Sequence, residues 1–131
     1  QEDARRLQWR GADPASIWMQ LDAAQDLSRE SNAGASLVLT LKLHAAPTGG
    51  VQVALGCGAT CVGRVDVDKT LRGLPTGKWL RIGVPLACFG RAGADMTRID
   101  RVFELSAATA LDMSVSRVAL GNEMDHQVEC T

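Results

Sequence analysis

Residues 74–89, Leu-Pro-Thr-Gly-Lys-Trp-Leu-Arg-Ile-Gly-Val-Pro-Leu-Ala-Cys-Phe, decide the fold. Pro75 and Gly77 are turn residues, because proline presets its own φ and glycine tolerates a positive one. Leu80, Ile82, Val84 and Leu86 then alternate with Arg81, Gly83 and Pro85. An apolar period of two marks a strand with one buried face. Pro85 has no N–H to give to a ladder, so this strand is expected either to lie at a sheet edge or to stop there.

The same period extends in both directions. Leu37, Leu39, Leu41 and Leu43 alternate with Val38, Thr40, Lys42 and His44. Pro47, Gly49 and Gly50 read as a hairpin turn, with Val51, Val53 and Leu55 returning as the antiparallel partner. Upstream, Ala4–Trp9 is a first short strand, broken by Gly11, Asp13 and Pro14 before Ile17, Met19 and Leu21 alternate with Trp18 and Gln20. Asp26–Gly34 is polar and reads as a connecting loop. Downstream, Val62, Val65 and Val67 continue less regularly, Asp95 stands where it would cap a short helix carrying Met96 and Ile99, and Phe103 and Leu105 mark another strand. Leu111, Met113 and Val115 are followed by Val118 and Leu120, so the phase slips by one at Ser116 and Arg117. That slip predicts a β-bulge. Eight or nine short strands with one short helix leave no room for a doubly wound parallel sheet. They predict an all-β antiparallel β-sandwich, a two-sheet jelly roll.

With 131 residues, the chain suffices for one domain with a real core and not for two. A net charge of −1 provides no broad basic face, which argues against nucleic acid as a partner. No apolar stretch approaches the ~20 residues of a membrane span. The sequence starts at Gln1 with no basic, apolar leader after it, so the expectation is a processed piece of a longer chain, with any targeting signal upstream.

Four cysteines, Cys57, Cys61, Cys88 and Cys130, fit two disulfides and an oxidising compartment. Of the three pairings, Cys57–Cys61 with Cys88–Cys130 is favoured. Gly58 and Ala59 are small enough for a tight first loop, and the second bond would tie the tail to the body. The competing reading is zinc, but Cys-x3-Cys is an uncommon spacing and neither His44 nor His126 has a ligand-like neighbour. Reduced structural cysteines are the other alternative.

Catalytic motifs are scarce. No G-x-S-x-G, phosphate loop or H-E-x-x-H occurs. Asp66 with Asp68, Asp95 with Asp100, and Glu123 with Asp125 are paired acids of the kind usually solvated on loops, with nothing to set two of them across a glycosidic bond. A carbohydrate-binding face is the other chemistry to weigh. Trp18 is out of phase with its apolar neighbours, and Gln20, Thr40, Lys42, His44 and Gln52 would share its face if their strands were adjacent. Against it, aromatic residues are only 4% of the chain and tyrosine is absent, so a broad stacking platform is hard to build. Trp79 reads as sealing one end of the sandwich and Trp9 as core or sheet-edge packing. A structural calcium would draw on Asp22, Asp26, Glu123 and Asp125, without an EF-hand spacing to support it. No other cofactor is implied.

The order Cys57-Gly58-x-x-Cys61-x-Gly63-x-Val65-Asp66, Leu74-Pro75-x-Gly77-x-Trp79, Val84-Pro85-Leu86-x-Cys88-Phe89 and Gly93-Ala94-Asp95-Met96 resembles the C-terminal domain of bacterial glycoside hydrolase family 3 enzymes. These are the exo-acting β-glucosidases and 1,4-β-glucan glucohydrolases of Gram-negative bacteria. Gln1-Glu2-Asp3-Ala4-Arg5 and Asp26-Leu27-Ser28-Arg29-Glu30-Ser31-Asn32 share the likeness, which spans nearly the whole chain. The resemblance implies a galactose-binding-like β-sandwich appended to upstream catalytic domains and exported to the periplasm or beyond. It implies that nucleophile and acid/base lie elsewhere, and no residue here matches a catalytic motif of that family. Two roles then compete: docking on and supporting the catalytic domains, or holding β-glucan oligosaccharides for them as a carbohydrate-binding module.

Overall fold

The computed structural model describes residues 4–10 and 15–130; the expected break at Gly11, Asp13 and Pro14 falls outside them. Nine strands are present among the described residues: β1 (Arg5–Trp9), β2 (Ala15–Gln25), β3 (Ser36–Ala45), β4 (Val51–Gly56), β5 (Val62–Asp66), β6 (Trp79–Pro85), β7 (Ile99–Ala107), β8 (Leu111–Gly121) and β9 (His126–Gln127). Three short helices join them: α1 (Ser28–Asn32), α2 (Asp68–Arg72) and α3 (Leu86–Arg91). The strands form a five-stranded sheet, ordered β1-β8-β3-β6-β9, and a four-stranded sheet, ordered β2-β7-β4-β5. All pairs are antiparallel except the two-residue contact of β6 with β9. This is the antiparallel sandwich that the periodicity predicts. No helix among the described residues is long and apolar enough to cross a membrane.

The core lies between the sheets. The leucine stripe of β3, Leu37, Leu39, Leu41 and Leu43, is buried together with Val53, Leu55, Ile82, Val84, Leu105 and Met113. Burying one such side chain contributes about 1.5–3 kcal/mol. The opposite positions Thr40, Lys42 and His44 are partly exposed, so the strand obeys the period of two from Leu39 to His44, whereas at its start Ser36 and Val38 are buried too and both faces are covered.

Four expectations need correction. First, β4 does not pair with β3. Both edges of β3 are occupied, by β6 and by β8. The chain after Ala45 therefore crosses to the other sheet, where β4 pairs with β5 and β7. Second, the edge expectation for residues 80–86 holds only in part. β6 does stop at Pro85, but β9 flanks it at Ile82 and Gly83, and Leu86 is already the first residue of α3. Third, there are three short helices among the described residues where the sequence predicts one, and none is capped by Asp95; α3 precedes it and Ile99 already begins β7. Leu86, Cys88 and Phe89 face the core from α3, while Asp95 accepts hydrogen bonds from the Thr97 N–H (3.0 Å) and hydroxyl (2.6 Å) and closes a turn just after Gly93, whose φ is +114°. Fourth, residues 26–34 are not all loop, because Ser28–Asn32 form α1. The predicted bulge is present: Thr40 faces Arg117 and Leu41 faces Val115, leaving Ser116 as the extra residue.

The sulfurs form Cys57–Cys61 and Cys88–Cys130, with Cα atoms 4.9 and 5.7 Å apart, so the zinc and free-thiol readings fail. The small ring is held from outside by Arg101, which donates to the carbonyls of Gly58 (3.3 Å) and Cys61 (3.4 Å) while its guanidinium covers Gly56. Gly63 is required by close approach: a Cβ there would collide with the Phe89 carbonyl oxygen and with Ala94, whereas over Gly83 lies only the flexible end of Met124.

Two measurements check this packing. Gly63→Ala pushes against backbone that cannot swing away, so it should cost about 1–3 kcal/mol in a chemical denaturation curve. Removing Cys88–Cys130 by double alanine substitution should cost more than removing Cys57–Cys61. The chain-entropy model gives about 4 kcal/mol for the longer ring and about 2 for the shorter. Equal losses from the two would show that ring size is not what stabilises.

Candidate functional site

The sandwich is open along one side. β1 pairs only with Leu111–Val115, so beyond the bulge β8 has no neighbour on that edge among the described residues. Across from it runs β2, the edge of the other sheet. β2 is paired with β7 in broken register: Met19 faces Phe103 and Gln20 faces Arg101, leaving Val102 unpaired. The gap between these edges is a groove of about 410 Å³ whose walls include Leu7, Ile17, Met19, Phe103, Val115 and Val118. A smaller hollow of about 210 Å³ continues it past Met19 and Val118 to Leu27, Leu86 and Leu120. Ile17 and Met19 stand opposite the buried Leu105 and Phe103, so their phase is inward, yet they are 36% and 52% exposed; Leu120 is 42% exposed. Apolar side chains directed at a core that does not close over them are the marked feature of this surface.

The sequence-predicted sugar contacts do not share one face. Trp18, 55% exposed, lies in a row with Glu104, Ala54 and Arg64 on the outside of the four-stranded sheet, where Arg64 and Glu104 form an ion pair (3.2 Å). Gln52, one row along, donates to Asp66 (2.8 Å), and Gln20 donates to the Asp100 carbonyl (3.3 Å). Lys42 and His44 belong to the other sheet. Lys42 stands 5.9 Å over the ring of Trp79, and His44 Nε2 shares a 2.8 Å hydrogen bond with the Ser114 hydroxyl. The expectation of a common face fails because it required β3 and β4 to be neighbours. Trp79 accordingly packs with Lys42 on the outer sheet face, and Trp9 lies partly buried against the core from the edge strand β1.

The carboxylates serve local structure. Asp26 accepts from the Ser28 N–H (2.9 Å), Asp68 pairs with Arg72 (2.9 Å), Asp100 accepts from the Gly58 N–H (3.1 Å) and Asp125 accepts from the Arg81 N–H (2.8 Å). Among the described residues, no group of three or more His, Cys, Asp or Glu is placed to hold a metal ion, so Asp22, Asp26, Glu123 and Asp125 do not gather as a calcium site.

Three exposed aspartates are held below the usual carboxylate range. The Ser28 hydroxyl and N–H do this to Asp26, and the Thr97 hydroxyl and N–H, then Arg98, to Asp95. For Asp112 the cause is hydrogen bonding to the Arg6 guanidinium, at 2.8–2.9 Å.

No curated protein matches the chain. A family model described as Exop_C, galactose-binding domain-like, matches residues 1–120. Among solved structures, the extra C-terminal domain (X) of exo-1,3/1,4-β-glucanase (ExoP) from a Pseudoalteromonas species superposes with a TM-score of 0.74 at 18% identity, covering all of this chain and 71% of that one. The whole ExoP enzyme matches with a TM-score of 0.72 at 18% identity; this chain spans 16% of its length. At that identity the likeness establishes a shared fold.

Depressed carboxylate pKa values fix the sign of a pH dependence. Each of the three aspartates contributes stability that is complete above its unfolded pKa of about 3.9 and is lost as pH falls through the lower folded value. The melting temperature should therefore fall below about pH 4, and Asp112→Asn should flatten part of that fall while lowering stability at pH 7. Thermal melts of both proteins at pH 7 and pH 2.5 decide it; an identical acid response would refute the role of Asp112.

Proposed function

The chain belongs to the galactose-binding-domain-like Exop_C family, and from that membership we propose that it is a non-catalytic C-terminal accessory module of an exported exo-acting β-glucanase or β-glucosidase of glycoside hydrolase family 3. Its role is to dock on the catalytic domains of the same chain and support them. The observation that carries the docking role is the open apolar side. A groove lined by Leu7, Ile17, Met19, Phe103, Val115 and Val118 is larger than the scattered exposed leucines of an ordinary surface, and contiguous patches of this kind mark contact sites. Chain direction agrees. β1 runs antiparallel to β8 with Arg5 opposite Val115, so the N-terminal end of β1 lies at the bulge end of β8, where the groove is. A domain attached on that side is delivered to the groove by the chain itself, at high effective concentration. The two disulfides support export, since such bonds persist in oxidising compartments.

Charged side chains in the groove test this in the full-length enzyme. Met19→Lys with Leu120→Lys changes exposed positions, so the module should still fold. It should, however, unfold in calorimetry as a separate, lower-temperature transition and be released by limited proteolysis. Trp18→Ala, at the rim, should weaken the contact by about 2 kcal/mol if it anchors the interface. A single unfolding transition unchanged by the double lysine variant would defeat the docking role.

A further inference from the structure

The five-stranded sheet carries a second groove, of about 430 Å³, on the face turned away from the core. Register creates it. Thr40 on β3 faces Arg81 on β6 and Arg117 on β8, so the three stand in one row across three strands. With neighbouring strands about 4.8 Å apart, the two arginine stems are about 10 Å apart, which leaves the width of one pyranose ring between them. The next row is the floor. Val38 lies there with Ala119 beside it, a small side chain that leaves the space open, while Met124 covers Gly83 on the other flank. Asn122 and Glu123 close one end. A small apolar floor between polar walls suits a sugar, which offers C–H groups on its faces and hydroxyls at its rim.

Charge narrows the ligand. Glu123 is 90% exposed and its oxygen is 3.9 Å from Arg81, a loose pairing. Asp125 is committed to the Arg81 backbone N–H, and Asp112 to Arg6. Arg117 has no carboxylate within 4.0 Å among the described residues. Among the described residues the groove thus holds one guanidinium without a carboxylate partner, the group whose planar fork takes a carboxylate through two hydrogen bonds.

We propose that this groove binds a carboxylate-bearing saccharide, a uronic acid unit, with Arg117 on the carboxylate and Arg81, Thr40 and Asn122 on the ring hydroxyls. The choice of a saccharide over other organic acids rests on the accessory-module reading; the preference for a carboxylate does not.

Calorimetric titration of the whole protein tests it with three probes: a β-linked glucuronic acid oligosaccharide, a neutral gluco-oligosaccharide of the same length, and sodium sulfate. The acidic sugar should bind at least tenfold more tightly than the neutral one, and the preference should shrink between 50 and 200 mM salt. Arg117→Gln should remove the tenfold preference and Arg117→Lys restore part of it. Ala119→Phe, which fills the floor and leaves every charge in place, should abolish binding of both sugars. Met19→Lys alone, which borders the apolar side and not this groove, should leave sugar binding intact, so loss of docking and loss of sugar binding are read separately. Equal binding of the two sugars, binding of neither, binding indifferent to Arg117→Gln, or sulfate binding as tightly as the acidic sugar would each overturn the proposal.

Discussion

The structure depends on β3 being satisfied on three sides. Its backbone is hydrogen-bonded along both edges, and its leucine stripe is buried on one face. A strand so placed has no edge left to offer, and that decides what its neighbours do. β4 has to cross to the opposite sheet, and its own partners become β5 and β7. The far edge of that sheet falls to β2, which has one partner, a broken register and inward-phase side chains with little to cover them. The unfinished side of the sandwich follows from the finished centre.

Much of this is legible in the sequence because a period of two has few physical solutions. Leu37–Leu43 and Leu80–Val84 bury one face only as strands, and a phase slip at Ser116 must be absorbed by an extra residue or turn half of β8 inside out. What sequence patterning does not carry is the choice of partner. Pro47, Gly49 and Gly50 serve a tight hairpin and an arch between sheets equally well. Phase tells which face of a strand Lys42 or Gln52 occupies, but not which sheet that strand joins, so phase alone gathers the six candidate sugar contacts onto a single face that the two sheets divide between them. Arg81 and Arg117 escape notice for the same reason: they become neighbours of Thr40 only through pairing. The start of α3 is hidden because Leu86 continues the apolar alternation of β6 by one step although the chain has already left the strand at Pro85.

One half-strand links the two surfaces. After the bulge, register puts Val118 and Leu120 beside Leu39 and Leu37 of the core face and Arg117, Ala119 and Gly121 beside Thr40, Val38 and Ser36 of the outer face, with Leu120 also bordering the outer groove. Arg117 touches both hollows. A body seated on the apolar side would therefore form part of the surroundings of the outer groove, and the two would share a rim.

The Cys88–Cys130 bond has a mechanical consequence. It closes a covalent ring that contains β7, β8 and β9, so tension applied beyond Cys130 does not run through those strands. Such a load passes directly to Cys88 on α3 and from there to β6, the neighbour of the central β3 in the five-stranded sheet. The C-terminal end of the domain is thus anchored near its centre, and pulling on it strains the ladder beside β3 before it can peel away the tail.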